Sequence, residues 1–163
     1  MRYLLLLLLT NPLLADDKRD FISKIFSSPP KPQRFWVDKI HSNFIKKHFN
    51  PSQVKLSYRY WQKNGKIVWI LDEIGKERNI TSGIVIAKNK VDYLEVITYR
   101  ESRGGQVQSQ RFRSQYVSKD ANSNLAKEID SISGATLSVN AINKQIRLAL
   151  WLSSQLAPNP NIS

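Results

Sequence analysis

The stretch that decides the fold is residues 54–71, VKLSYRYWQKNGKIVWIL. Apolar and aromatic side chains alternate with polar ones before and after Asn64-Gly65, and a period of two is typical of a strand with one buried face. Asn-Gly tolerates the positive φ angles that both central positions of a two-residue hairpin turn require. The stretch therefore predicts a β-hairpin, with strands over residues 54–60 and 67–71.

A second hairpin is predicted directly after the first. Residues 80–87 and 91–99 are rich in β-branched and aromatic side chains, and Lys88-Asn89-Lys90 joins them. Upstream, apolar residues recur every three to five positions over residues 34–49, which predicts a helix that Asn50-Pro51 ends. Downstream, the same spacing predicts a short helix within residues 106–116 and a long one over residues 137–156.

Helices and hairpins that are segregated along the chain predict a single α+β domain. We expect it to span residues 34–157, with an antiparallel sheet covered on one side by flanking helices and a C-terminal helix at its end. A length of 163 residues suits one domain. The net charge of +12 favours contact with anionic partners. The absence of cysteine excludes disulfides, iron–sulfur clusters, thiolate zinc sites and Cys-linked haem.

The N-terminal residues have the pattern of a targeting signal. Arg2 is followed by an unbroken apolar run over residues 4–9, which is too short to span a bilayer, and Ala15 is a candidate cleavage point. We therefore expect a signal peptide over residues 1–15, with retention as an anchor left open, and a periplasmic location or one on the outer face of the cytoplasmic membrane. Residues 16–33 are predicted to be a flexible lead-in, and residues 158–163 an irregular tail.

Residues 130–138, DSISGATLS, precede the predicted long helix and allow two interpretations. Hydroxyl side chains cap helices, and glycine suits a turn, so the segment could be structural only. A helix N-terminus also binds phosphate through its unpaired N–H groups, and Gly134 and Ala135 would let a ligand approach the backbone closely. Thr136 then presents a hydroxyl that could accept a phosphoryl group.

The same nine residues resemble the Asp-x-x-Ser/Thr-Gly-Ala-Thr-x-Ser/Thr motif of the FMN-binding domain family. That family includes flavin-carrying components of the sodium-pumping NADH:quinone oxidoreductase and of the related ion-translocating electron transport complex. The resemblance implies that a flavin transferase, dependent on FAD and magnesium, links FMN through a phosphoester to Thr136. It also implies that Asp130 belongs to the transferase recognition motif, and that Ser133, Gly134, Ala135 and Ser138 surround the phosphate.

The resemblance extends over residues 74–150. Glu101-Ser102-Arg103-Gly104 is similar to the family's Glu-containing loop, although the pump components carry Glu-Thr-Pro-Gly there. Phe112 and Gln115 suit the phenylalanine–glutamine segment that follows this loop. The resemblance makes Glu101, Arg103 and Gly104 candidate flavin contacts, whereas ion pairing of Glu101 with Arg100 or Arg103, and a surface role for Arg103, stay open.

The chain has no G-x-G-x-x-G motif and therefore no recognisable nicotinamide-binding site. A flavoprotein without such a site is predicted to be an electron carrier rather than an enzyme with its own substrate. The expected partners are the flavin transferase, a membrane or cytochrome electron-transfer protein, and an anionic membrane surface. Two alternatives stay open, namely a basic exported binding module without redox activity and a protein that uses flavin as a sensor ligand. Nucleic acid is not expected as a partner, and His41 and His48 lack further residues for a metal site.

Overall fold

The computed structural model describes the backbone of residues 12–156 and the side chains of residues 16–156. The predicted tail and most of the predicted signal peptide lie outside these residues. Within residues 12–156, no helix is both long enough and apolar enough to cross a membrane. The helices and strands are, in chain order, α1 (Pro12–Ile25), β1 (Gln33–Trp36), α2 (Lys39–His48), β2 (Ser57–Lys63), β3 (Lys66–Ile74), β4 (Asn79–Ala87), β5 (Lys90–Thr98), α3 (Gln110–Ser114), α4 (Leu125–Glu128) and α5 (Thr136–Leu156).

The five strands form one antiparallel sheet in the order β1-β2-β3-β4-β5, so every strand pairs with its neighbour in sequence. Both predicted hairpins are confirmed. Asn64 and Gly65 turn the first with φ angles of 52° and 74°, and Lys88 and Asn89 turn the second with 50° and 60°. The predicted α+β fold with flanking helices and a C-terminal helix is therefore confirmed, as is the short helix within residues 106–116.

The main core lies between one face of the sheet and α5. Trp69 and Ile84 point from the central strands to this face, and Ile142 and Ile146 point to them from the helix; all four side chains are at 0% exposure. Burial of a large aliphatic or aromatic side chain contributes about 1.5–3 kcal/mol. This layer therefore holds α5 firmly against β3 and β4.

The opposite face of the sheet is also covered, so the prediction of a sheet covered on one side is wrong. Phe21, Ile22 and Phe26 of the N-terminal segment are buried there against Val68 and Val85. The prediction of a flexible lead-in over residues 16–33 is wrong for the same reason, because α1 occupies much of it. Residues 27–32 do lack regular structure, as their serines and prolines indicate.

The predicted helix over residues 34–49 is wrong at its beginning. Phe35 lies in β1, opposite Tyr58 of β2, and both side chains enter the core. The helix begins only after Asp38, whose carboxylate accepts a hydrogen bond of 2.8 Å from the N–H of His41. An aspartate in this N-cap position sets the boundary between strand and helix, because it satisfies an N–H that the helix leaves unpaired.

Candidate functional site

The position of α5 relative to the sheet is set by buried polar contacts as well as by apolar packing. The Gln145 amide donates to the backbone oxygens of Leu71 and Ile80, at 3.1 and 2.7 Å, and accepts from the Ser82 hydroxyl at 2.6 Å. Trp69 donates its indole N–H to the Ser153 hydroxyl at 2.8 Å. Buried polar groups of this kind are costly to separate, so they fix the helix in one register.

The motif at residues 130–138 forms the turn that begins this helix. Gly134 has a φ of 75°, a left-handed conformation that glycine adopts without a steric penalty. Ala135 is buried, and its backbone oxygen accepts from Val139 at 3.0 Å, whereas Thr136 is exposed. Within residues 12–156, no protein acceptor pairs with the N–H groups of residues 136–138. Thr136 is therefore exposed at the start of a helix whose first three N–H groups have no protein acceptor within residues 12–156.

The loop after β5 packs directly on this turn. Gly104 has a φ of 84°, and a Cβ atom placed on it would clash with the Cβ of Ala135. The Tyr99 hydroxyl bridges the two segments, because it donates to the Arg103 backbone oxygen at 2.5 Å and lies 3.0 Å from the Ser138 hydroxyl. The fold thus brings Gly104, Ala135 and Ser138 together.

Glu101 accepts backbone hydrogen bonds that were not predicted from the sequence. One carboxylate oxygen, Oε1, accepts from the backbone N–H groups of Lys76, Glu77 and Arg78, at 2.6, 2.9 and 3.1 Å. Partial burial opposes ionisation, but these donors outweigh it together and hold the pKa of Glu101 below its ordinary value. Glu101 thus braces the turn between β3 and β4, and no ion pair with Arg100 or Arg103 forms within residues 12–156.

The remaining predicted site residues lie at the rim. Asp130 is exposed, and its backbone N–H donates to the side-chain oxygen of Gln115 at 2.9 Å. This contact joins the phenylalanine–glutamine segment to the start of the motif. Ser133 and the side chain of Arg103 are exposed as well. The structure therefore brings part of the predicted set together and leaves Asp130 and Ser133 accessible to a second protein.

A groove of about 300 Å³ runs along the first turns of α5, beside the end of β3. Its apolar lining includes Leu137 and Ile74, which are 52% and 46% exposed. Lys144 and Arg147 line it further along the helix, and no carboxylate of residues 16–156 is among its lining side chains. Sequence reasoning missed these residues, although positions 137, 140, 144 and 147 share one helical face. The leucine inside the motif, Leu137, was the sequence feature that could have indicated the groove.

The two histidines of α2 make contacts with neighbouring side chains. His41 caps the helix with Asp38 and packs edge-on against Phe35, while His48 stacks on Phe44. In the part of the chain that the structure describes, no cluster of three or more His, Cys, Asp or Glu side chains could hold a metal ion.

The geometry agrees with one comparison to known proteins. A comparison with curated proteins gives no match. Residues 75–150 match the sequence model of the FMN-binding domain, and this segment contains the brace at Glu101, the bridge at Tyr99 and the whole motif. This match assigns residues 75–150 to the FMN-binding domain family and supports an FMN-binding protein.

Proposed function

We propose that this chain is an exported flavoprotein that carries FMN on Thr136 through a phosphoester bond and acts as an electron carrier. The observation that carries the proposal is the position of Thr136. Its hydroxyl is exposed at the N-terminus of a 21-residue helix, next to backbone N–H groups without protein acceptors within residues 12–156. A helix terminus of this kind favours a phosphate through both its donors and its dipole.

The attachment reaction needs an accessible hydroxyl and an activated phosphate. The oxygen of Thr136 would attack the flavin-side phosphorus of FAD, so that a new oxygen–phosphorus bond forms as the pyrophosphate bond breaks. AMP leaves, and the hydroxyl proton passes to solvent or to a base of the transferase. The exposure of Thr136, Ser133 and Asp130 supports access by such an enzyme. The charge of the phosphoester would face the N–H groups of residues 136–138.

The groove beside α5 suits the isoalloxazine ring. Leu137 follows the attachment residue directly, and with Ile74 it offers an apolar surface for one face of a ring. Lys144 and Arg147 would place positive charge near the ring, which favours the reduced anionic form. Because the Glu101 carboxylate is occupied by three backbone donors, we assign it to support of the loop rather than to direct contact with flavin.

An electron carrier fits these features better than an enzyme with its own substrate. FMN supplies transfer of one or two electrons when bound. The part of the chain that the structure describes offers the flavin a groove open to solvent and a basic surface, and both suit contact with an electron-transfer partner. The predicted signal peptide supports export, and a covalent bond would prevent loss of the cofactor outside the cytoplasm.

Intact mass tests the attachment. The full chain is co-expressed with a flavin transferase in an exporting host, and we expect an added mass equal to FMN less one water. Thr136→Val should remove this adduct because it keeps the side-chain shape and lacks the hydroxyl. Thr136→Ser should retain at least part of it.

An exposed hydroxyl nearby provides a matched control. Ser131→Ala removes a hydroxyl from the same segment, at a position that the motif leaves open, and this variant should still carry the adduct. An adduct that persists in Thr136→Val, or that disappears only in Ser131→Ala, would show that Thr136 is not the attachment residue. Flavin that binds without any mass adduct would agree with the FMN-binding assignment but would overturn the proposed covalent attachment.

A further inference from the structure

Three large apolar side chains are exposed together at one corner of the sheet, outside the flavin-binding segment. Trp36, Ile40 and Leu56 are 68%, 77% and 86% exposed. We call this set the β1–β2 corner. Single exposed apolar residues are ordinary in proteins, whereas a cluster with polar surroundings indicates an interaction surface.

Backbone pairing brings the three residues to the same place. Trp36 ends β1 opposite Ser57, and the N–H of the next residue, Val37, donates to the Leu56 backbone oxygen at 3.0 Å. Ile40 lies in the first turn of α2, four residues after Trp36. The backbones of the three residues therefore lie close to the point where the edge strand leaves the sheet.

Cations surround this corner. Arg34 lies opposite Arg59 in the β1–β2 ladder, Lys39 precedes Ile40, and Lys55 precedes Leu56. None of these four side chains takes part in an ion pair within the described residues. The neighbouring carboxylate of Asp38 is engaged with His41, at 3.0 Å from its ring nitrogen. The corner is thus apolar at its centre and positive around it.

We propose that the β1–β2 corner docks this protein on an anionic lipid bilayer, with Trp36, Ile40 and Leu56 in the interface and the four cations on the headgroups. Tryptophan is favoured at the level of lipid headgroups, and basic residues beside an apolar cluster are typical of peripheral membrane binding. Each cation near an anionic surface strengthens binding about fivefold. The proposal does not depend on covalent flavin.

Docking at this corner would orient the flavin groove. Trp36 ends β1, Ser57 begins β2 and Ile74 ends β3, so in an antiparallel sheet all three lie at the same end. Ile74 and Gly75 line the groove beside α5 at that end. The bilayer would therefore lie at the end of the sheet where the groove begins, within reach of a membrane-bound electron-transfer protein.

Site-specific fluorescence tests the proposal, and the absence of native cysteine makes labelling clean. Ile40→Cys and, as the matched control, Lys90→Cys each carry one polarity-sensitive fluorophore. Lys90 is exposed and begins β5, at the opposite end of the sheet. The probes are vesicles of phosphatidylcholine mixed with phosphatidylglycerol, and vesicles of phosphatidylcholine alone.

We expect a blue shift only at position 40 and only with phosphatidylglycerol present. No shift at position 40, equal shifts at both positions, or equal shifts on neutral vesicles would overturn the proposal. A shift that depends on protein concentration without vesicles would identify a second copy of the chain as the occupant, and would overturn it as well.

Flotation of unlabelled protein excludes an effect of the fluorophore. Lys39→Gln and Lys55→Gln should each weaken partitioning about fivefold. Trp36→Ser combined with Leu56→Ser should weaken it at least about tenfold, because two apolar side chains no longer leave water. Partitioning that is unchanged in all these variants would show that another part of the surface binds the bilayer, and would overturn the assignment to this corner.

Discussion

The flavin-binding segment, residues 75–150, and the preceding segment, residues 12–74, are built differently. The first contains every residue of the proposed attachment site, yet it supplies only β4 and β5 of the sheet. The second supplies three strands and α1, and it contains the exposed apolar residues of the β1–β2 corner. One segment carries the cofactor, while the other completes the core and offers a separate surface. Stability and flavin attachment should therefore respond to different substitutions.

The largest expected effect is on the free energy of unfolding, at Phe21. Its ring is 2% exposed, stacks on Tyr93 at a centroid distance of 6.4 Å and occupies the space that a side chain at Gly83 would fill. Phe21→Ala should lower the free energy of unfolding by about 3–5 kcal/mol. Chemical denaturation measures this loss, and intact mass should show that flavin attachment survives under native conditions.

Phe44→Ala is the matched control for Phe21→Ala, because the Phe44 ring is 37% exposed. Its cost should be less than half as large. A Phe21→Ala protein that remains folded but no longer accepts flavin would contradict the separate roles of the two segments, since α1 would then belong to the flavin site.

The next effect depends on pH and concerns the brace at Glu101. Burial alone would raise its pKa, but three backbone N–H donors outweigh burial and hold the pKa below the ordinary 4.5. A lowered pKa in the folded state contributes stability above pH 4.5 that is lost as the pH falls through the lowered value. Glu101→Ala should therefore cost about 1 kcal/mol at neutral pH, and this difference should shrink in acid.

Denaturation curves at several pH values measure the contribution of Glu101. Glu101→Gln is the conservative control, since its amide oxygen still accepts hydrogen bonds but does not ionise. A loss in Glu101→Ala that stays constant from neutral to acidic pH would show that the carboxylate charge does not support the turn.

The third effect separates backbone strain from site chemistry. Gly134 and Gly65 have φ angles of 75° and 74°, and an added Cβ would meet no atom within 4 Å at either position. Gly134→Ala and Gly65→Ala should therefore cost similar stability, about 1 kcal/mol each. Intact mass after co-expression should show lower flavin attachment only in Gly134→Ala. Equal attachment in both variants would mean that the turn before Thr136 tolerates distortion.

The strands were predicted correctly from sequence where the period was uninterrupted. The hairpins over residues 54–99 follow from alternation and from turn residues, which act locally. The first helix was missed because the apolar residues of its stripe, such as Phe21 and Ile22, stand among charged residues and lie close to a proline-rich stretch. Their burial depends on a surface that β3 and β4 form far along the chain, and such tertiary contacts are not visible in a local pattern.

The candidate site was predictable in part for the same reason. The motif around Thr136 is contiguous, so its place at the start of α5 followed from capping and spacing. The partners of Glu101 could not be predicted, because they are backbone N–H groups more than twenty residues away. The groove combines residues of α5 with the end of β3, and only the fold brings them together.

The smallest expected effect is on the reduction potential of bound flavin. Lys144 and Arg147 line the groove, where the described part of the chain places no carboxylate, and positive charge stabilises reduced anionic flavin. Lys144→Gln and Arg147→Gln should each make the potential more negative by about 10–30 mV, as expected for a partly screened charge acting on a two-electron couple. Spectroelectrochemical titration measures it, with Lys90→Gln at the opposite end of the sheet as the control. A reduction potential that shifts equally in all three variants would reflect net charge alone and would place the ring outside the groove. A shift confined to Lys144→Gln and Arg147→Gln would show that the groove of the flavin-binding segment sets the potential of the flavin.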